Sequence, residues 1–162
     1  KRVWNISKFT KKKKNAVSGS LAELYVTIQG NRYNLAQAIK FEANFEKNKT
    51  EVPILGRTGK GNKSTGWAGS GSLTIHYNTS IFRELAYLYK ETGEDIYFDM
   101  QCTNEDKSSG VGRQTITFID CNFDSLVLAT FDADADYLEE DIDFTFEDFE
   151  MPERFKLLQG ML

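Results

Sequence analysis

The segment with the strongest chemical signal in this chain is a glycine-rich stretch, ILGRTGKGNKST, at residues 54–65. It combines glycines, basic residues and hydroxyl side chains, as a phosphate-binding loop does. Such a loop needs the spacing G-x-x-x-x-G-K-[ST] and a helix behind it, so that backbone amides and the lysine converge on the phosphates. Gly56 and Gly61 have that separation, but Asn62 occupies the lysine position and the glycines that follow oppose a helix. We therefore predict a long basic loop between two strands and not a nucleotide site.

A second candidate for ligand chemistry is the acidic run FDADADYLEEDID, which resembles the beginning of a calcium-binding loop. Asp132, Asp134 and Asp136 stand at loop positions 1, 3 and 5. The loop also requires Gly at position 6 and Glu at position 12, where this chain has Tyr137 and Asp143. We expect a solvated acidic turn and no metal site.

The residues available for catalysis are few. His76 is the only histidine, and we expect it on the polar face of a strand. Cys102 and Cys121 lie in predicted strands, where a reduced cysteine is usually a small core residue. The sequence contains no nucleophile-elbow motif and no Cys-x-x-Cys pair. We therefore predict a protein that is not an enzyme and needs no cofactor.

Length and composition favour one folded, β-rich domain: the chain has 162 residues, of which 40% are hydrophobic and 13% aromatic. Its charge is unevenly distributed. Residues 1–63 carry 14 Lys and Arg against 4 Asp and Glu, whereas residues 132–153 carry 11 Asp and Glu and no Lys or Arg. A basic front half is compatible with nucleic-acid binding, but the acidic region would repel DNA. We favour electrostatic complementarity between the two regions, within a subunit or between copies.

The first residues of the chain predict an N-terminal arm, residues 1–20, ahead of a single β domain at residues 21–162. The arm is basic, with lysine at each of residues 11–14, and lacks the apolar middle of a secretion signal. No apolar run in the chain is long enough for a membrane helix, so we expect no membrane anchor. Trp4, Ile6 and Phe9 are apolar residues on this charged segment, and we interpret them as anchors for a partner.

Alternation of apolar and polar residues predicts strands along most of the remaining chain. The apolar positions of these strands are 24, 26 and 28; 39, 41, 43 and 45; 73, 75 and 77; 96, 98, 100 and 102; and 142, 144 and 146. Gly30 and Asn31 predict a tight turn, and the segment RYNLAQA either begins the next strand or forms an irregular turn. The alternation changes phase near Phe118, which predicts a β-bulge or burial of both faces.

One segment has helical spacing instead. Ile81, Leu85 and Leu88 recur at i, i+4 and i+7, which predicts a single helix over about residues 80–92. Ser80 is its expected N-cap and Gly93 its expected C-terminal residue. We expect its apolar stripe to pack against a sheet.

Taken together, three segments carry a family resemblance: ILGRTGKGNKSTGWAGSGSLTIHYNTSIFRELAYLYKETGEDIYFDM, GRQTITFIDCNFDSLVLATFDAD and EEDIDFTFEDF. The joint pattern, over about residues 20–155, resembles the tail tube protein of contractile phage tails. It is most similar to the versions in PBSX-type defective prophages and Clostridium-type phage-tail bacteriocins.

The resemblance implies a β-sandwich or half-barrel of long antiparallel strands with one packed helix. Six copies would form a ring whose sheets join into a continuous barrel, and stacked rings would form the inner tube of a tail. The implied partners are the chain itself, a contractile sheath protein, and baseplate and tail terminator proteins. The implied location is a virion or phage-tail-like particle assembled in the bacterial cytoplasm, either an infectious phage or a headless bacteriocin.

Two sets of residues acquire roles under this interpretation. We expect the segment from Gly56 to Gly71 to be a flexible connection that orders against a neighbour. The candidate assembly contacts are Trp4, Ile6, Phe9, Gly56, Arg57, Lys60, Lys63 and Trp67. We expect the channel wall to be acidic, because an acidic wall would not bind DNA phosphates. The candidate lumen-facing residues are Glu42, Glu46, Asp141, Asp143 and Glu147.

Two other functions remain open from the sequence. One is the related tube of a type VI secretion system, which shares the fold. The other is a nucleic-acid-binding module that uses the basic arm, although we expect no stable nucleic-acid binding. Sedimentation of assembled tubes, compared with retention on heparin or DNA, separates the second from a tube protein.

Overall fold

The computed structural model describes residue 19, residues 22–35 and residues 38–157. In this part of the chain there are eight strands and one helix, so the predicted mainly β fold with one helix is confirmed. The elements are β1 (Ala22–Ile28), β2 (Asn31–Asn34), β3 (Ala38–Val52), β4 (Gly61–His76), α1 (Ile81–Thr92), β5 (Phe98–Glu105), β6 (Arg113–Ser125), β7 (Glu139–Phe146) and β8 (Asp148–Glu153).

The strands form one antiparallel sheet that folds over on itself. The strand order is β2-β1-β5-β6-β7-β4-β3, and β8 also pairs with β6. Strand β6 joins the two halves, because its first part pairs with β5 and β8 and its last residues, from Asn122 to Ser125, pair with β7. We call β2, β1, β5, β6 and β8 the first sheet, and β3, β4 and β7 the second sheet.

The hydrophobic core lies between the two sheets and α1. Phe41 of the second sheet stacks on Phe144, with ring centroids 5.7 Å apart, and also contacts Phe118 of the first sheet at 5.7 Å. Most of the apolar positions predicted from strand alternation lie in or against this core. Its buried members are Leu24, Val26, Ile28, Leu35, Leu73, Ile75, Phe82, Leu85, Phe98, Met100, Phe118, Cys121, Ile142, Phe144 and Phe146. The predicted half-barrel of antiparallel strands with a packed helix is therefore confirmed.

The helix occupies the predicted segment. Its buried residues are Phe82 and Leu85, and the Phe82 ring contacts Phe98 edge-on at 5.8 Å. Gly93 ends the helix in the left-handed conformation, φ 73°, and its N–H donates to the Tyr89 carbonyl. Ser80 stands at the predicted N-cap, but its side chain makes no capping hydrogen bond; its carbonyl accepts from the Glu84 N–H.

The first hairpin turns one residue earlier than predicted. Ile28 pairs with Asn31, so the turn residues are Gln29 and Gly30, with φ of 49° and 81°. Positive φ at both positions is the type I′ geometry that matches the twist of a two-residue hairpin. The first residues of the segment RYNLAQA belong to a separate short strand, β2, which pairs with β1, and its last residue, Ala38, begins β3. Residues 36 and 37 of this segment lie outside the described residues.

The predicted bulge near Phe118 is present. Phe98 pairs with Cys121 and Met100 pairs with Phe118, so two residues of β6 lie opposite one residue of β5. Asp120 has a φ of 53°, and its N–H donates to Asp99 Oδ1 over 3.1 Å. Because of this extra residue, both Phe118 and Cys121 face the core.

The expectation of a flexible connection from Gly56 to Gly71 is wrong. The loop ends at residue 60, and Gly61–His76 is strand β4. A Cβ on Gly69 would lie 2.3 Å from the Phe146 ring, and one on Gly71 would lie 2.4 Å from the Glu42 carbonyl oxygen and 2.5 Å from the Phe144 ring. These two glycines are therefore required by close packing of aromatic rings over β4 and not by flexibility.

Candidate assembly surfaces

Four of the five acidic residues predicted to face a channel lie on one face of the second sheet, in β3 and β7. The fifth, Glu147, follows the end of β7, and its N–H donates to the Ile119 carbonyl of β6. Strand β4 lies between β3 and β7: Ser72 pairs with Glu42 of β3 on one side and with Asp143 of β7 on the other. Two residues further along β4, on the same face, Thr74 lies between Lys40 and Asp141. The sequence predicted the acidic residues of each strand separately, and the strand order makes them neighbours.

This polar face is acidic and solvent-exposed. Its residues alternate with core residues such as Phe41, Ile142 and Phe144. The Thr74 hydroxyl donates to Asp141 Oδ1 over 2.7 Å, and the Ser125 hydroxyl donates to Asp143 Oδ2 over 3.1 Å. Along the predicted rows, five carboxylates stand against one ammonium group, that of Lys40; the carboxylates are Glu42, Glu46, Asp141, Asp143 and Glu147. We call these two rows and the β4 residues between them the acidic face.

The second sheet ends in a long strand with one free edge. Strand β3 is 15 residues long and, among the residues that the structure describes, pairs only with β4. It contains no proline, whereas the shorter edge strand β8 contains Pro152. An edge of this length presents unpaired N–H and C=O groups that favour pairing with another chain.

A two-stranded hairpin extends beyond the rest of the sheet. Strands β3 and β4 pair as far as Val52 and Gly61, but β4 pairs with β7 only from Gly69 onward. A free two-stranded ribbon is marginally stable in water, so this extension gains most from a neighbouring surface. Five of the predicted assembly residues lie here or in its loop: Gly56, with φ 81°, the exposed Arg57, Lys60 and Lys63, and Trp67 at the base.

An aromatic cluster holds the base of this hairpin. Trp67 stacks on Phe45 at 5.0 Å and meets the Phe149 ring edge-on at 5.8 Å. Trp67 is 37% exposed and Phe45 49% exposed, so the cluster also presents apolar surface. Trp67, a predicted contact, thus has a structural role within the subunit. The other predicted contacts, Trp4, Ile6 and Phe9, lie outside the described residues.

A second exposed apolar surface was not predicted from the sequence. Tyr87 of α1 and Leu128 line a shallow groove between the helix and the segment after β6, and Phe131 in the same segment is 88% exposed. The helical spacing identified only the buried side of α1. The sequence signal for this surface is the occurrence of large apolar residues on the opposite side of the helix and in a loop. Only the tertiary structure shows that the helix and the loop lie side by side.

A buried ion pair was not predicted from the sequence either. Arg83 of α1 donates to Glu140 of β7 over 2.7 Å, and the Glu140 side chain is 1% exposed. The guanidinium also donates to the Thr79 carbonyl and lies 4.4 Å from the Tyr77 ring centroid. Burial raises the pKa of Glu140, and the neighbouring Arg83 charge partly opposes that rise. The sequence signal was a charged residue on the helix and another at an inward position of an otherwise alternating strand.

The glycine segment and the acidic run were the two candidate ligand sites in the sequence, and the structure places them in a strand and in a turn. Asn62 and Lys63 lie in β4, so the glycine segment leads into a strand and cannot build the strand-loop-helix cradle of a nucleotide site. Asp132 Oδ1 accepts from the Asp134 N–H over 3.0 Å, as in an acidic turn. Among the described residues, no group of three or more His, Cys, Asp and Glu side chains is placed to hold a metal ion.

The histidine and the two thiols also pack against neighbours. The His76 ring contacts Tyr137 at 5.4 Å. Burial, with the nearby Asp99 charge, raises the pKa of Cys121 to about 12, and burial also raises the pKa of Cys102. A thiol with a raised pKa is a poor nucleophile at neutral pH, because little of it is thiolate. No helix in the described part of the chain is long and apolar enough to span a membrane.

Comparison with known proteins identifies relatives across nearly the whole chain. The family described as "Phage tail tube protein" matches residues 10–153. The "Phage-like element PBSX protein XkdM" of Bacillus subtilis (strain 168) is 43% identical over 143 residues, which cover 88% of this chain and 95% of that protein.

Solved structures share the fold at low sequence identity. A chain in the cryo-EM structure of the anti-feeding prophage baseplate has a TM-score of 0.64 at 12% identity, covering 88% of this chain and 97% of that one. A chain in the sheath-tube complex of the extracellular contractile injection system PVC, in its extended state, has a TM-score of 0.63 at 9% identity, covering 88% and 98%. These similarities concern the fold.

Proposed function

Since this chain belongs to the phage tail tube protein family, we propose that it forms the inner tube of a contractile phage-like tail as hexameric rings stacked around a channel. The observation that carries this proposal is the second sheet, which combines a 15-residue free edge with an acidic face. An edge that joins sheets between subunits and a polar face that tolerates water are the two requirements of a tube wall.

The free edge supports ring closure. If β3 pairs with an edge of a neighbouring subunit, the second sheets of six copies become one continuous barrel without open edges. The backbone hydrogen bonds of β3 are then satisfied on both sides. This also accounts for the absence of proline from a strand of this length.

The acidic face supports a channel wall. We assign Glu42, Glu46, Asp141 and Asp143 to the lumen, because the opposite face of the same sheet is covered by the core. We also assign Glu147 to it, since this exposed residue directly follows β7. Each phosphate that a protein neutralises adds salt-dependent affinity, so a basic wall would hold DNA at many points at once. An acidic wall repels phosphates over a Debye length of ~8 Å at physiological salt.

The basic hairpin supports contacts between rings. The tip, residues 53–60, extends past the sheet and carries Arg57 and Lys60, with Lys63 close by on β4. A basic tip complements an acidic surface on the next subunit, and head-to-tail contacts between unlike surfaces propagate as rings or filaments. We propose that the hairpin, together with the N-terminal arm anchors Trp4, Ile6 and Phe9, links neighbouring subunits.

The helix side supports a contact with a surrounding sheath. Helix α1 contributes to the core on the side of the second sheet opposite to the acidic face. If the acidic face lines the channel, the exposed side of α1 points outward. We assign the sheath contact to the groove containing Tyr87 and Leu128 and to the neighbouring Phe131. Baseplate and tail terminator proteins are the expected partners at the two ends of the tube.

This function is structural, and we propose no catalytic role, cofactor or stable nucleic-acid binding. Assembly takes place in the bacterial cytoplasm, and the mature protein resides in the phage-tail-like particle. A type VI secretion tube is disfavoured, because the matching family and the 43%-identical relative are of the phage type.

The decisive experiment is negative-stain electron microscopy of the purified protein, combined with sedimentation and with binding to a DNA column at physiological salt. Hollow tubes of uniform diameter that pellet, with no DNA retention, support the proposal. A protein that stays monomeric at high concentration and is retained on DNA would instead be a nucleic-acid-binding module.

A further inference from the structure

The two ends of the second sheet carry opposite charges. At one end, the tip (residues 53–60) and the first residues of β4 carry Arg57, Lys60 and Lys63 and no carboxylate. Lys60 lies 3.7 Å from Glu51 of the same hairpin, but the two side chains are 62% and 70% exposed, so both are accessible to a partner. This end of the subunit is therefore basic and exposed.

The other end of the second sheet is acidic. It lies where β4 ends and β7 begins, because His76 pairs with Glu139 and the Tyr77 N–H donates to the Leu138 carbonyl over 3.0 Å. The segment before β7 reaches this end through Tyr137, whose ring contacts the His76 ring at 5.4 Å. We call residues 132–139 the acidic end. It contains no basic residue, and its exposed carboxylates are those of Asp132, Asp134, Asp136 and Glu139.

The tip also presents one apolar side chain in a fixed position. The Ile54 carbonyl accepts from the Arg57 N–H over 3.2 Å, and Gly56, the third residue of this turn, has a φ of 81°. This is type II geometry, which favours glycine at that position. The Ile54 side chain folds back over Gly61, where an added Cβ would lie 2.7 Å from Ile54 Cδ1. The turn holds Leu55 outward at the apex of the ribbon, where it is 102% exposed and no described residue covers it.

The tip cannot reach the acidic end of its own subunit. Strand β4 runs from the tip to the acidic end over 16 residues, which is roughly 50 Å of strand. Pairing with β3 along this length keeps the ribbon extended. Two tips, or two acidic ends, would repel each other because their charges have the same sign. The tip and the acidic end are therefore complementary only between different copies that point in the same direction.

We propose that the tip of each subunit docks on the acidic end of a subunit in the next ring. Leu55 packs there against Tyr137, which is 61% exposed, and Arg57 and Lys60 lie among the carboxylates. This inference rests on the proposed tube, because it assigns the contact between stacked rings. Contacts between unlike surfaces propagate in one direction, so every ring has the same orientation and the tube has one basic and one acidic terminus.

An exchange of charges tests this contact. The tip variant, Arg57→Glu/Lys60→Glu, should raise the protein concentration needed for tube formation at least about tenfold, because like charges then face each other. The acidic-end variant, Asp134→Lys/Asp136→Lys, should have the same effect; Asp132 is left unchanged because it accepts a hydrogen bond within its turn. A chain with all four substitutions should form tubes at the wild-type concentration, and so should an equal mixture of the two variants. Pelleting and negative-stain images measure tube formation.

A matched control changes the same charges at another position. The tip variant combined with Asp148→Lys/Glu150→Lys, two exposed residues of β8, has the same formal charge as the four-substitution chain and should not form tubes. Recovery by this control would show that only net charge matters. Recovery of the tip variant by Asp141→Lys/Asp143→Lys would place the tip on the acidic face. Either result would overturn the inference.

Leu55 separates assembly from folding. Leu55→Ser should leave the urea unfolding of the unassembled subunit unchanged, because the side chain is fully exposed, and should raise the concentration needed for tube formation. The matched control is Leu128→Ser, since Leu128 is 69% exposed and is assigned to the sheath contact. It should leave tube formation unchanged. Tubes of Leu55→Ser that form as readily as those of wild type would contradict burial of Leu55 between rings.

The outcomes distinguish this inference from the proposed function. Sedimentation and electron microscopy of the wild-type protein decide whether tubes form, and a wild type without tubes refutes the proposed function. If wild type forms tubes and the tip variant forms them equally well, the inference is wrong and the tube function stands. The same conclusion follows if the four-substitution chain does not repair the defect of the tip variant.

Discussion

Arg83 Nη1 and Glu140 Oε2 lie 2.7 Å apart with the Glu140 side chain buried, and this ion pair connects helix α1 to strand β7. The guanidinium also bonds the Thr79 carbonyl and contacts the Tyr77 ring, so a single side chain organises the connection between β4 and α1. Removal of one partner leaves the other charge buried and uncompensated. This lowers the free energy of unfolding more than replacement of both partners by apolar residues does.

We predict that Arg83→Ala lowers the free energy of unfolding of the subunit by about 3–5 kcal/mol. The Arg83→Leu/Glu140→Leu double variant should recover most of the loss, because no charge is left buried. Urea unfolding of the unassembled protein, followed by circular dichroism, measures both. A double variant as unstable as the single one would show that the pair contributes through something other than charge compensation.

The buried carboxyl group of Glu140 predicts that the free energy of unfolding depends on pH. Because burial raises the pKa of Glu140, the folded state binds its proton more readily than the unfolded state does. Its contribution to stability is therefore fully present below the unfolded pKa and is lost as the pH rises through the folded pKa. Without the opposing charge of Arg83, this loss should be larger. The Arg83→Ala variant should gain more stability than wild type between pH 7 and pH 5, as measured by urea unfolding, and an Arg83→Ala/Glu140→Gln variant should not.

The glycines of β4 give a packing prediction. Gly71→Ala would place a methyl group against a backbone carbonyl and an aromatic ring, at 2.4 and 2.5 Å, and neither can move freely. We expect a loss of about 1–3 kcal/mol, the usual range for overpacking. Gly59→Ala in the hairpin loop is the matched control, since nothing lies within 4 Å of its added Cβ. Thermal unfolding compares the two, and equal melting temperatures would contradict close packing at Gly71.

The acidic face predicts how a tube treats DNA. Asp141→Lys/Asp143→Lys should produce tubes that retain short DNA duplexes, with an affinity that falls steeply with salt, by about 0.9 in log-log slope per additional phosphate contact. Wild-type tubes should not retain them. The control variant, Glu84→Lys/Glu91→Lys, reverses the charge of two exposed carboxylates. Both lie on α1, away from the acidic face. If the helix variant retains DNA as strongly as the strand variant, the acidic face does not line the channel.

The N-terminal arm predicts an assembly defect without a folding defect. Deletion of residues 1–18 should leave a cooperatively folded protein, because residues 22–157 already hold the eight described strands, α1 and a core that spans both sheets. It should form fewer or shorter tubes, as counted in negative-stain images at matched concentration. Polymerisation as efficient as that of the full chain would show that the arm is not an assembly contact.

Local pattern was enough to predict most elements of this fold. Alternation with a period of two identified the strands that carry Leu24, Leu73 and Ile142, and helical spacing with Ser80 and Gly93 located α1, because both signals depend on neighbouring residues alone. The bulge near Phe118 was also readable, since an extra residue changes the phase of alternation in the sequence itself. The family resemblance required the joint pattern of three long segments.

What the tertiary structure decided depends on contacts between distant residues. The reason for Gly69 and Gly71 is the pair of phenylalanine rings from β7, far along the chain, and in the sequence such glycines are indistinguishable from those of a flexible loop. The two acidic rows became one surface only because β4 lies between β3 and β7. Likewise, the Arg83–Glu140 pair exists only because α1 packs against β7. Strand order and packing are global properties, and periodicity along the chain carries no information about which strands are neighbours.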